Sequence, residues 1–171
     1  MKNLPQRNHP RLKDYDYSRK GAYFITFCVK DMVTELGSVG RDALGAPIMK
    51  LSEYGIIIHK EIEGTSLHYE GVSIDTFIIM PNHIHMIITI QNGSIEQAHN
   101  HFGAPEASRP TMLIPRIIAI IKKKTNKQYG FNMWQRSFYE HIIRNEAEYL
   151  RIWQYIIENP AKWAEDKYYS Q

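Results

Sequence analysis

Cysteine is nearly absent: Cys28 is the only one in 171 residues. A single thiol excludes an intrachain disulfide and a thiolate zinc cluster, and it points to a reducing compartment. Long apolar runs are absent too. No stretch approaches the ~18 residues that suggest a membrane span, and the N-terminal MKNLPQRNHPRLKDYDYSRK lacks a secretory apolar segment. A cytoplasmic protein with no membrane partner is expected. Nor is there a strong excess of one charge. Twenty-one Lys and Arg against 18 Asp and Glu leave a net +3, which neither demands nor excludes nucleic acid, so the placement of the charge has to decide. No internal repeat is visible.

What remains is the composition of an ordinary globular protein, 43% hydrophobic and 23% charged, which argues against a disordered chain. The length suits one domain over 1–171 with a core of its own. Residues 1–21 carry six Lys or Arg (Lys2, Arg7, Arg11, Lys13, Arg19, Lys20) and little apolar periodicity, as in an extended basic arm. Residues 91–111 have no periodicity and read as a mobile loop; they hold His99 and His101, which lack apolar backing and read as exposed side chains.

Aromatic and β-branched residues predict strands over 22–29, 72–80 and 138–143. A helix is predicted over 52–63, with Leu51, Tyr54, Ile58 and Ile62 as its apolar stripe. A second runs from Pro115 to about Gln128, stopped by Gly130. A third runs over 146–159, opened by an Asn145/Glu148 capping box and ended by Pro160. The segment 41–47, RDALGAP, has turn composition. Short links between strands favour antiparallel pairing, so the expected class is α+β, with helices packed on one face of an antiparallel sheet.

The stretch PNHIHMIITI, 81–90, alternates like a half-buried strand. His83 and His85 then share one face, and Ile84, Met86, Ile88 and Ile90 the other. Two imidazoles side by side make half of a metal site, with zinc as plausible as any other ion. On the last helix, Tyr155 and Asn159 stand about 40° apart, at the border of the stripe formed by Tyr149, Ile152, Trp153 and Ile156. Spacing alone fits an amphipathic border tyrosine and a turn residue before proline. It also fits a sharper reading, in which an ion held by two histidines and an amide oxygen polarises a phosphate for attack by the tyrosine. Lys122, Lys123, Lys124 and Lys127, with Arg116 upstream, form the densest positive patch of the chain, although helix-dipole stabilisation alone accounts for lysines in a last turn.

The MPNHIHMI segment closely resembles the His-hydrophobic-His signature of the single-tyrosine HUH transposases. The run WQRSFYEHIIRNEAEYLRIWQYIIENPAK, 134–162, resembles the C-terminal block of the REP-associated tyrosine transposases within that superfamily. The resemblance extends over about 15–162. It departs at Gly21-Ala22-Tyr23, where that group usually has Gly-Thr-aromatic.

The resemblance implies a ferredoxin-like α+β domain that cuts and rejoins single-stranded DNA beside a hairpin. Tyr155 would be the nucleophile, forming a 5′-phosphotyrosine link. His83, His85 and Asn159 would hold Mg²⁺ or Mn²⁺. Lys122, Lys123, Lys124, Lys127, Arg136 and Arg144 are the DNA-binding candidates, and the partner is single-stranded or hairpin DNA in the nucleoid. Trp134, Phe138 and Tyr139 are candidates either for stacking on bases or for the core, and His141 for a local acid–base or a structural role. Monomer and homodimer both stay open. Two rivals stand beside this reading: a hairpin-binding relative that no longer cuts, and a metal-dependent phosphodiesterase in which water attacks.

Overall fold

The computed structural model describes residues 19–91 and 112–169. The N-terminal arm up to residue 18, and with it most of the expected basic arm, lies outside the described residues. So do 92–111, nearly the whole expected loop, with His99 and His101.

Four strands form one antiparallel sheet: β1 (Gly21–Cys28), β4 (Val72–Ile79), β5 (His83–Ile90) and β6 (Tyr139–Ile143). Their order across the sheet is β4-β5-β1-β6, every pair antiparallel. Helix α1 (Glu53–Glu63) links β1 to β4, and α2 (Leu113–Tyr129) links β5 to β6. The βαββαβ order with the first strand central is the ferredoxin-like arrangement, followed by one more helix, α3 (Glu146–Glu158). Between β1 and α1, β2 (Gly37–Arg41) and β3 (Pro47–Leu51) pair as a separate hairpin. Its turn is the RDALGAP segment, where Asp42 Oδ1 accepts from the Leu44 and Ala46 amides at 2.9 and 2.8 Å. Gly55 in α1 lies so close to the Leu36 carbonyl that a Cβ has no room there, which lets the start of the hairpin pack on the helix.

Alternation along the central strands divides the core in two. Tyr23, Ile25 and Phe27 of β1, with Ile84, Met86, Ile88 and Ile90 of β5, meet Ile58 and Ile62 of α1 and Ile114, Ile117, Ile118 and Ile121 of α2. Each fully buried Ile or Phe contributes roughly 1.5–3 kcal/mol of transfer free energy. On the opposite face, Ile87, Ala22 and Phe24 pack with Ile143 and with Tyr149, Ile152, Trp153 and Ile156 of α3. The expectation that helices cover one face is therefore corrected. It holds for α1 and α2, whereas α3 covers the other face, because the strands carry apolar residues at alternate positions on both sides.

Helix ends follow the expected chemistry. Ser52 Oγ accepts from Gly55 N at 3.1 Å and Asn145 Oδ1 from Glu148 N at 2.8 Å. Gly130 takes the left-handed conformation (φ 81°) that closes α2. The α-helix ends at Glu158, just before Pro160 as expected, but the chain does not leave helical geometry there. Asn159 keeps helical angles (φ −55°, ψ −40°), and the chain continues as a 3₁₀ helix over Asn159–Glu165 with Pro160 in its first turn. That continuation turns the following segment back onto the histidine strand.

Candidate active site

The site lies on the α3 side of the sheet. His83 and His85 start β5 beside Cys28 and Thr26 of β1, and both are buried. Their Nε2 atoms are 3.0 Å apart. Neighbours fix which nitrogen carries each proton. Asn82 donates through Nδ2 to the Met32 and Tyr168 carbonyls at 3.1 and 2.8 Å, so its Oδ1 faces the ring and accepts from His83 Nδ1 at 2.9 Å. A neutral His83 with its proton on Nδ1 has a bare Nε2. The short Nε2 contact then requires the proton of His85 on Nε2, which leaves His85 Nδ1 to accept from Thr26 Oγ1 at 2.7 Å.

Both imidazoles are kept neutral. Burial pushes His83 down to about 4, against an opposing pull from Asp166, and it holds His85 well below its ordinary value, with the neighbouring His83 acting in the same direction. Neutral rings are what an ion needs, since His83 offers a bare Nε2 and His85 can offer one by shifting its proton to Nδ1.

From α3, the Tyr155 hydroxyl reaches within 3.2 Å of His85 Nε2 and 3.4 Å of Asp166 Oδ2. Its side chain is 37% exposed, with the Phe24 ring set edge-on at 6.2 Å. Burial and the Asp166 charge push its pKa up to about 12, so the phenol is protonated as it stands. One turn on, Asn159 is buried rather than at the border: its Nδ2 donates to Asp166 Oδ2 at 3.0 Å. Its Oδ1 is buried without a hydrogen-bond partner. An orphaned carbonyl costs on the order of 1–3 kcal/mol, and a cation beside it would remove that cost. Two neutral imidazoles and a bare amide oxygen therefore fit a divalent ion.

Three contributors escaped the sequence reading. Thr26 and Asn82 orient the rings, and Asp166 joins His83 and His85 in a cluster whose ligand atoms lie within 4.8 Å of one another. Asn82 stands in the Pro-Asn pair that opens the histidine strand, a composition that signals a turn rather than a ring partner, and no local signal points to Thr26 or Asp166.

The basic candidates separate. Lys122 donates to the Gln135 and Ser137 carbonyls at 2.8 and 3.0 Å and lies near the Phe27 and Phe138 rings, and burial lowers its pKa to about 8. Lys124 pairs with Glu61 at 3.3 Å. Lys123 and Lys127, one helical turn apart, are exposed, as are Arg136 and Arg144. Trp134 is core: it is 3% exposed, with its indole N–H on Thr125 Oγ1 at 2.8 Å. Tyr139 is exposed at the rim of a cavity of about 210 Å³ lined also by Thr26, Phe138 and Tyr168. His141 is held by Glu148 at 2.8 Å, and Glu148 also accepts from the Arg144 amide, so His141 belongs to the cap of α3.

No family profile matches the chain. An uncharacterized protein of Haemophilus influenzae is 35% identical over 97% of this chain and 94% of its own length. A putative REP-associated tyrosine transposase of the same organism is 24% identical over 86% of this chain and 74% of its own. Among solved structures, a REP-associated tyrosine transposase bound to a REP hairpin superposes with a TM-score of 0.59 at 23% identity, covering 89% of this chain and 73% of that one. No described helix is long and apolar enough to cross a membrane. The chain therefore belongs to one family with the uncharacterized Haemophilus influenzae protein, is similar in sequence to a putative REP-associated tyrosine transposase, and shares its four-stranded fold with the solved REP-associated tyrosine transposase.

Proposed function

We propose that this protein binds hairpin DNA and cuts and rejoins the single strand beside it, with Tyr155 as nucleophile. The supporting observation is the Tyr155 hydroxyl 3.2 Å from His85 Nε2, one helical turn from an amide oxygen, on Asn159, that has no other partner. In this reading the phenolic oxygen bonds to the scissile phosphorus as the bond to the 3′ oxygen breaks. The products are a 5′-phosphotyrosine and a free 3′-hydroxyl, which keeps the proton given up by the phenol. Attack on the link by the 3′-hydroxyl of a second strand restores the tyrosine, so bond energy is conserved without a nucleotide cofactor. A hard divalent ion, Mg²⁺ or Mn²⁺, held by His83, His85 and Asn159, supplies Lewis-acid stabilisation of the charge developing on the phosphate oxygens.

The protein's own groups do the rest. Asn82 and Thr26 hold the two rings, Phe24 sets the tyrosine ring, and α3 keeps Tyr155 and Asn159 in one frame. Exposed Lys123, Lys127, Arg136 and Arg144 supply phosphate contacts, which govern affinity more than sequence choice. The solved relative is bound to a REP hairpin, which supports a hairpin as the partner here.

Incubating the protein with a hairpin oligonucleotide bearing a single-stranded flank tests the reading. Cleavage is expected with Mg²⁺ or Mn²⁺, to be abolished by chelation, and to be lost in Tyr155→Phe and in His83→Ala while the hairpin is still bound. Cleavage that persists in Tyr155→Phe would favour attack by water, a reading to which the protonated, half-buried phenol lends some weight.

A further inference from the structure

Asp166 stands outside the ligand set of the proposed ion, yet its carboxylate lies among it. One cluster among the described residues brings three His, Cys, Asp or Glu ligand atoms together: His83, His85 and Asp166. We propose that Asp166 is a protein ligand of the divalent ion, together with His83, His85 and Asn159. The proposal rests on reading those three residues as an ion site, and it adds the ligand that carries the negative charge.

The position of Asp166 is built. Its amide donates to the Trp163 carbonyl at 3.1 Å, closing the 3₁₀ helix, and its Oδ1 accepts from the Tyr168 amide at 2.7 Å. The Tyr168 carbonyl in turn accepts from Asn82 Nδ2, and the Tyr168 ring lies 4.6 Å from that of His83. One side chain, Asn82, therefore fixes both the tautomer of His83 and the segment that carries Asp166. The second oxygen, Oδ2, receives Asn159 Nδ2 at 3.0 Å and a long contact from Tyr155 at 3.4 Å. A carboxylate offers about four lone-pair sites, so these contacts leave room for a metal.

Charge and hardness point the same way. Two neutral imidazoles and an amide bring no charge to a dication, whereas Mg²⁺ and Mn²⁺ favour carboxylate oxygens. Asp166 also takes the N–H side of the Asn159 amide, which turns its bare Oδ1 elsewhere. Hydrogen bonding and ligation by Asp166 would thus define one orientation of Asn159.

The test is a titration of the full chain with Mn²⁺ alone, followed by the paramagnetic resonance signal of the free ion. Asp166→Asn is expected to raise the Kd about tenfold or more, in the range seen when ligand-shell groups are removed, and Asp166→Glu to recover most of the loss. Asp166→Asn combined with Asn159→Ala should bind Mn²⁺ more weakly than either single variant, by less or more than the product of the two effects because the two side chains are in contact. Unchanged far-ultraviolet dichroism and thermal midpoint confirm that each variant is folded. Wild-type affinity in Asp166→Asn, with affinity lost in His83→Ala, overturns the assignment and leaves the histidine site standing. A double variant no weaker than Asn159→Ala also overturns it, since Asp166 would then act through Asn159. Failure of the wild type to bind Mn²⁺ overturns the ion site and the assignment together.

Discussion

His83 Nδ1 donates to Asn82 Oδ1 at 2.9 Å, and this bond leaves His83 Nε2 bare and facing His85. The orientation of Asn82 is itself set by the two carbonyls that accept from its Nδ2. Removing the side chain in Asn82→Ala strips two partly buried carbonyls of a donor and frees the His83 tautomer. The expected results are a stability loss of roughly 1–3 kcal/mol by chemical denaturation and a Mn²⁺ affinity about tenfold lower.

Thr26 tests the other ring. Its hydroxyl meets His85 Nδ1 at 2.7 Å, and an ion on His85 Nε2 requires the ring proton to move to Nδ1, with the Thr26 oxygen accepting it. Thr26→Val keeps the shape of the side chain and removes that acceptor. Mn²⁺ affinity should fall about tenfold, while Thr26→Ser retains it; equal affinities in Val and Ser variants would contradict this role.

Stability without metal should depend on pH in a direction set by the histidines. Unfolded, His83 titrates near its ordinary 6.5; folded, burial holds it at about 4. Between those values the unfolded state binds more protons, so stability is complete above about pH 6.5 and falls as pH drops towards 4. The His83 contribution to that loss is on the order of 3 kcal/mol, and His85 acts in the same direction. Denaturation midpoints measured from pH 7 to pH 4 check it: the decline should flatten in His83→Gln.

The lysines of α2 should divide by function. Lys123→Ala and Lys127→Ala, both on the exposed face, are expected to weaken hairpin binding across sequences and to reduce the salt slope by roughly one each. Lys122→Ala should instead destabilise the fold, because its ammonium serves the Gln135 and Ser137 carbonyls. Equal salt slopes in all three variants would refute the division.

The sequence was most legible where the signal is local. Strict alternation put the histidines on one face of β5 and the isoleucines on the other, and the helical period identified the core side of α3. The Asn145/Glu148 cap was legible for the same reason. Contacts across long separations were not. Thr26 meets His85 through strand register, 59 positions apart in the chain, and nothing near either residue signals the pairing. Asp166 follows Pro160, where helical periodicity breaks off, and only the 3₁₀ helix folds it back onto the histidines. The lysine run looked like one patch because sequence proximity hides the turn that sends Lys122 towards the sheet edge and leaves Lys123 outside. The β2–β3 hairpin is glycine-rich with weak alternation, so only its turn was legible.

The most direct measurement is the intact mass of the protein after reaction with a 5′-flanked hairpin oligonucleotide and Mg²⁺, followed by peptide mapping of any adduct. The expected result is a protein carrying the 5′-phosphate fragment on Tyr155, absent in Tyr155→Phe and absent when the metal is chelated. Cleaved DNA with no adduct at any time point, or an adduct mapped to Tyr139, Tyr149 or Tyr168, would contradict Tyr155 as the nucleophile.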